Sequence, residues 1–255
     1  MSVRGVDIHA LASYLNDFLG IAAIRDWKNA LNGLQVENGR PIRRVAAAVD
    51  AGEHTIRKAI ERDCELLLVH HGLFWSGNRP VTGVRYRRLK LLLDADVAVY
   101  SAHLPLDVHP ELGNNVLLAR RLGLEADGSF AEHEGRDVGV TATCDLDRSE
   151  LEARIEKALG GAVQLIAGGP ERVRRVGVLT GGGGGMVEQA LSAGLEALIT
   201  GEGSHHTWLD AMEGGLNLFY GGHYATETWG VRALAEHVAQ RFGLEWEFID
   251  APTGL

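Results

Sequence analysis

Two histidines close the apolar run Glu65-Leu66-Leu67-Leu68-Val69-His70-His71-Gly72, as when a buried strand delivers imidazoles to a sheet edge. The run is too short for a buried helix, and Gly72 ends it where the chain must turn. Strand ends of α/β sheets are where ligands gather. Adjacent residues on a strand point to opposite faces, so the pair suits two neighbouring ions or a distorted loop better than one chelated ion. Taken alone, the pair reads as a core histidine bonded to a carbonyl beside a solvated one.

An internal repeat gives the pair more weight. Arg43-Arg44-Val45 lies over Arg174-Arg175-Val176, and without a gap Gly52 then falls on Gly183, Glu65 on Glu196, Leu67 on Leu198 and Gly72 on Gly203. His70 and His71 fall on Gly201 and Glu202. After a surplus in the first copy between Gly72 and Tyr100, a second register sets Tyr100 on Tyr220, His103 on His223, Asp107 on Glu227 and Gly123 on Gly243. Both copies therefore carry His-x-x-x-acid. Copies packed about a pseudo-twofold would gather His70, His71, Asp107, His223 and Glu227. Imidazole with carboxylate suits borderline divalent ions (Zn, Fe, Mn, Ni or Co), and five donors exceed what one tetrahedral ion needs.

Leu68-Val69-His70-His71-Gly72-Leu73-Phe74-Trp75, Ser101-Ala102-His103-Leu104-Pro105-Leu106-Asp107, His109-Pro110-Glu111-Leu112-Gly113-Asn114-Asn115, Ile199-Thr200-Gly201-Glu202 and Gly222-His223-Tyr224-Ala225-Thr226-Glu227 resemble the NIF-three-like dinuclear metal centre family. The likeness runs from Asn32-Gly33-Leu34-Gln35-Val36 to Phe248-Ile249-Asp250. Members of that family are often labelled as similar to a type-two GTP cyclohydrolase I. By position, the resemblance assigns two divalent ions to His70, His71, Asp107, His223 and Glu227. It also implies intertwined, duplicated α/β repeats with mixed sheets, assembled as a toroidal homohexamer with its metal sites facing an internal cavity.

These readings lead to a metal-dependent hydrolase in which two ions share a water or hydroxide. A nucleotide-like or heterocyclic small molecule is the expected substrate. His103, Glu202 and His206 are the candidate proton-moving residues, with His103 expected beside the metal ligands and His206 preferred over His205 as a cavity-lining group. Two rivals share the same ligands: a non-catalytic metal-binding protein, and a regulatory or scaffold protein whose metals stabilise the ring.

Surrounding elements must hold these groups in place. Asp7 reads as the N-cap of a helix with stripe Ile8, Leu11, Leu15, Phe18 and Leu19, stopped by Gly20. Val45 to Val49, a turn at Asp50-Ala51-Gly52, a helix from Glu53 to Arg62 and the histidine strand form a βαβ unit with parallel pairing. Residues 1–126 read as the first repeat, 127–172 as a linking βαβ segment with a Ser149-capped helix, and 173–255 as the second repeat. The glycines Gly181 to Gly185 read as a structural turn rather than a phosphate loop, since no Gly-Lys-Ser/Thr follows. Arg79 and Arg85, placed ahead of a helix that buries Leu89, Leu92 and Leu93, read either as a phosphate-holding rim or as part of a solvated face.

At 255 residues and 45% apolar content the chain has ample core, and a net charge of −9 argues against general nucleic-acid binding. Cys64 and Cys144 have no metal spacing and read as reduced thiols. Arg4, Asp7, His9 and Asp17 interrupt any signal-peptide core, and no run reaches membrane-spanning length, so a cytoplasmic protein without membrane contact is expected.

Overall fold

The computed structural model describes residues 5–255, so Arg4 lies outside the described residues. In chain order the strands are β1 (Gly33–Val36), β2 (Arg44–Asp50), β3 (Leu66–His71), β4 (Ala98–Ser101), β5 (Ala126–His133), β6 (Arg136–Asp147), β7 (Gln164–Ala167), β8 (Arg172–Leu179), β9 (Ala197–Thr200), β10 (Asn217–Tyr220) and β11 (Glu245–Phe248). The helices are α1 (Ile8–Phe18), α2 (Glu53–Glu61), α3 (Gly83–Asp94), α4 (Leu104–Asp107), α5 (Asn114–Arg121), α6 (Arg148–Leu159), α7 (Val187–Ser192), α8 (Thr207–Gly214), α9 (His223–Thr226) and α10 (Thr228–Phe242). They form two compact units that alternate along the chain: residues up to Leu106 with Gly230–Ala251, and Asp107–Trp229 with Pro252–Leu255. These units and the contiguous repeats read from the sequence divide the chain differently, because β11 pairs with β2 of the first unit.

The first unit holds a five-stranded mixed sheet in the order β1-β4-β3-β2-β11. β2, β3, β4 and β11 run parallel, while β1 is antiparallel to β4. The βαβ reading of β2, α2 and β3 is thus met. Leu66 to Val69 are fully buried, as a continuous apolar run in a parallel sheet requires. Leu67 and Val69 share a core with Ala46, Ala48, Ile56 and Leu92. Asp7 caps α1 by accepting from the amides of His9 and Ala10, at 3.0 and 3.1 Å.

The second unit holds a six-stranded mixed sheet in the order β5-β6-β8-β9-β10-β7, with β8, β9 and β10 parallel. Val176 faces Ala197 across β8 and β9, as Val45 faces Leu66 across β2 and β3. Glu65 accepts from the amides of Arg43 and Arg44 at 2.9 and 2.8 Å, and Glu196 accepts from the amide of Arg174 at 2.5 Å. The later register slips by one residue at the strand: Tyr100 pairs with Leu68, but Phe219, not Tyr220, pairs with Ile199. Gly221 and Gly222 absorb the difference, with Gly222 at φ +93.

Several local expectations need correction. The segment 127–172 also holds most of β5, whose run of polar and small residues hid it, and β5 pairs with β6. Asp147 rather than Ser149 stands at the N-cap of α6, because β6 stays paired with β8 as far as Asp147. Arg85 lies inside α3, and Leu93 is 65% exposed, so only Leu92 of the expected trio is fully buried.

Two imidazole and carboxylate clusters

In the first unit, His70, His71 and His103 converge, each offering a ligand atom within 4.8 Å of the others. The ring centroids of His70 and His71 are 4.8 Å apart. The expected divergence of strand neighbours is not seen in the rings, although β3 stays paired with β2 as far as Asp50 opposite His71. His103 enters from the chain that follows β4 and completes the group of three.

The hydrogen bonds fix which nitrogen each ring presents. His70 Nδ1 donates to the Ala102 carbonyl at 2.8 Å, His71 Nδ1 to Asp50 at 2.9 Å and His103 Nδ1 to Asp26 at 2.8 Å. A carbonyl or carboxylate oxygen only accepts, so each Nδ1 carries the hydrogen and each Nε2 of a neutral ring keeps its lone pair. This is the state a metal-binding imidazole needs.

Asp26, which nothing in the sequence singles out, organises His103. It also accepts from Asn32 Nδ2 at 2.8 Å and the Leu104 amide at 3.0 Å, while Asn32 accepts from the His103 amide at 2.7 Å. Burial by itself would raise the Asp26 pKa, but the His103 hydrogen bond and charge, with Asn32 and the Trp27 amide, hold it below the usual carboxylate value. Asp50, in sequence only a turn residue, does the same for His71. Trp75 stands edge-on to His71 and His103, with ring centroids 5.8 and 4.7 Å away.

In the second unit, His223 opens α9 and Glu227 follows it. His223 Nδ1 donates to Glu202 at 2.9 Å, and its Nε2 lies 3.2 Å from Glu227. Hydrogen bonding to buried Glu227 outweighs the opposing effect of burial and, with Glu202, pushes the imidazole pKa up to about 9. Two carboxylates around one ring make a cation-attracting setting, and a bound cation would take the place of the proton. Gly181, at φ +68, makes room: a Cβ there would run into the Glu227 carboxylate.

Asp107 is buried, and its Oδ1 accepts from Asn114 at 2.8 Å. The glycine run behaves as a structural turn, since a Cβ on Gly184 would fall 2.5 Å from the Gly203 backbone. Glu202 and His205 help to line a cavity of about 800 Å³ that also has Trp208 and Tyr220 in its wall. His206 is exposed at the start of α8 and is not among the residues lining that cavity. The chemistry of both clusters fits a divalent ion: imidazole Nε2 donors in one, and imidazole with carboxylate in the other.

Among the described residues no helix is long and apolar enough to cross a membrane. Comparison with known proteins gives consistent relatives. Residues 6–253 match the family model described as Duf34/NIF3 (NGG1p interacting factor 3). A "GTP cyclohydrolase 1 type 2 homolog" of Deinococcus radiodurans is 42% identical over 247 residues, covering 96% of this chain and 93% of that protein. A protein of the same name from Archaeoglobus fulgidus is 39% identical, covering 98% of this chain and 100% of its own. Among solved structures, protein ybgI superposes with a TM-score of 0.91 at 37% identity, covering 98% of this chain and 100% of that one. TTHA1606 from Thermus thermophilus follows at 0.89 and 40% identity, with the same coverage.

Proposed function

Given that the chain belongs to the Duf34/NIF3 family, we propose that it is a dinuclear metal-dependent hydrolase acting on a nucleotide-like or heterocyclic small molecule. The observation that carries this reading is the common state of four imidazoles. His70, His71, His103 and His223 each engage Nδ1 with an oxygen acceptor. Acceptors placed in this way serve to orient and strengthen imidazole ligands.

On this reading two divalent ions of the Zn, Fe, Mn, Ni or Co class are held by His70, His71, Asp107, His223 and Glu227. Such ions supply Lewis acidity and lower the pKa of bound water from about 15.7 to about 7. The remaining roles belong to the chain's own groups. Asp26 holds His103 with Nε2 as acceptor, so His103 can take a proton and release it to a leaving group. Glu202 fixes the ring of His223. His206 is a proton carrier at the substrate side. The cyclohydrolase names of the relatives favour ring opening among hydrolytic reactions. The reading includes a cytoplasmic homohexamer, and two free cysteines accord with a reducing compartment.

The deciding experiment is elemental analysis of untagged protein beside the His70→Ala and Glu227→Ala proteins, followed by a hydrolysis screen of nucleotides and heterocycles. Close to two equivalents of metal per chain, falling in both variants, and a turnover that Glu227→Gln abolishes while leaving the fold intact, are expected. Absence of metal after reconstitution would overturn the mechanism. Stable metal without turnover across the screen would leave a metal-binding protein instead.

A further inference from the structure

The loop that leaves the His70-His71 strand end and the start of α3 wall two adjoining cavities of about 380 and 360 Å³, which share Phe74, Arg79 and Arg85. Their cationic groups are Arg79, Arg85, Arg88 and Lys28, and no Asp or Glu is among the residues lining either one. This is a concentrated positive site in a chain of net charge −9. The neighbouring cations on α3 differ: Arg87 pairs with Glu53 and Lys90 with Asp94, which makes them a solvated face.

The arginines lining the cavities are set for a ligand. Arg85 donates to the backbone oxygens of Arg79 and Gly77 at 2.7 and 2.8 Å, and its guanidinium lies over the Phe74 ring at 5.3 Å. Two of its five N–H groups thereby pin the loop, and the others remain for an oxyanion. Arg79 makes no ion pair among the described residues. The Nε of Arg88 is buried with no hydrogen-bond partner among the described residues, a donor that a ligand oxygen would satisfy. Leu31, Pro80 and Val81 add apolar wall to the two cavities.

We propose that these cavities bind the phosphate or pyrophosphate arm of a small organic ligand, with Arg79, Arg88 and Lys28 on its oxygens and Arg85 holding the loop. The identification of that ligand as the substrate rests on the hydrolase reading, whereas the anion site does not. The same loop carries Trp75, packed edge-on to His71 and His103, so an anion that orders the loop also steadies the imidazoles.

The test is calorimetric titration of the metal-stripped full-length protein with inorganic pyrophosphate at two salt concentrations. Saturable binding that weakens with salt is expected. Affinity should fall about tenfold or more in Arg79→Ala, and less in Arg79→Lys, because a charge-assisted hydrogen bond is lost. It should be unchanged in His223→Ala. Absence of binding, equal binding in Arg79→Ala and Lys28→Ala proteins with parental melting curves, or loss of binding in His223→Ala would overturn the site. Pyrophosphate binding without turnover in the metal-loaded protein would sink the hydrolase reading and leave the anion site standing, and turnover without pyrophosphate binding would do the reverse.

Discussion

The strand end of the first unit presents His70 and His71, and the matching end of the second presents Gly201 and Glu202. One step away, Asp50 of the first unit holds His71, whereas its counterpart in the second is Gly181, whose missing side chain leaves space for the Glu227 carboxylate. The first unit thus turns imidazole Nε2 atoms inward, with the Ala102 carbonyl and the Asp50 and Asp26 carboxylates behind them. The second places acids directly around a single imidazole. One scaffold supplies nitrogen donors in one copy and negative charge in the other.

The shared scaffold and the divergent ends can be separated by mutation. Leu67→Ala in β3 and Leu198→Ala in β9 both remove fully buried side chains. Each is expected to destabilise by about 2–5 kcal/mol in denaturant titrations. A large difference between them would break the equivalence of the two cores.

At the ends, His70→Ala and Glu227→Ala should each weaken zinc binding by on the order of a hundredfold or more, measured by competition with a chromogenic chelator. Loss in only one variant would show that the two donor sets act separately. Gly181→Ala is expected to cost about 1–3 kcal/mol and to reduce metal affinity, because φ is positive there and the new Cβ meets Glu227. Asp50→Ala and Glu202→Ala, which release Nδ1 of His71 and His223, should lower metal affinity by about 10–100-fold. A null effect of Glu202→Ala would confine the orienting role to the first unit.

The smallest expected difference concerns Cys64, whose counterpart in the second unit is Leu195. Burial, then the nearby Glu247 carboxylate, pushes the Cys64 thiol up to about 12. Because the folded value lies above the unfolded one of about 8.5, its contribution to stability is complete below pH 8.5 and is lost as pH rises toward 12. About 1.4 kcal/mol should be lost by pH 9.5, and Cys64→Ala should remove that part of the alkaline decline in melting temperature.

Much of the framework was legible in the sequence. The apolar run of β3, the Asp7 cap and the parallel βαβ unit depend on residues close in the chain, and each appears as read. Asp26 was not legible: it follows a short apolar stretch, and nothing near it announces that its carboxylate will meet a histidine 77 residues later. β5 escaped because polar and small residues dominate its strand, and the pairing of β11 with β2 joins opposite ends of the chain.

By itself the sequence determined the donor types, the strand that carries two of them and the glycines that leave room, since these follow from side-chain chemistry and local backbone preference. Only the tertiary structure decided which nitrogen each imidazole presents. The partners that settle this, Ala102, Asp50, Asp26 and Glu202, lie 32, 21, 77 and 21 residues from their histidines. A proton's position on a ring depends on the oxygen it meets in space, and strand pairing and loop packing bring that oxygen into place.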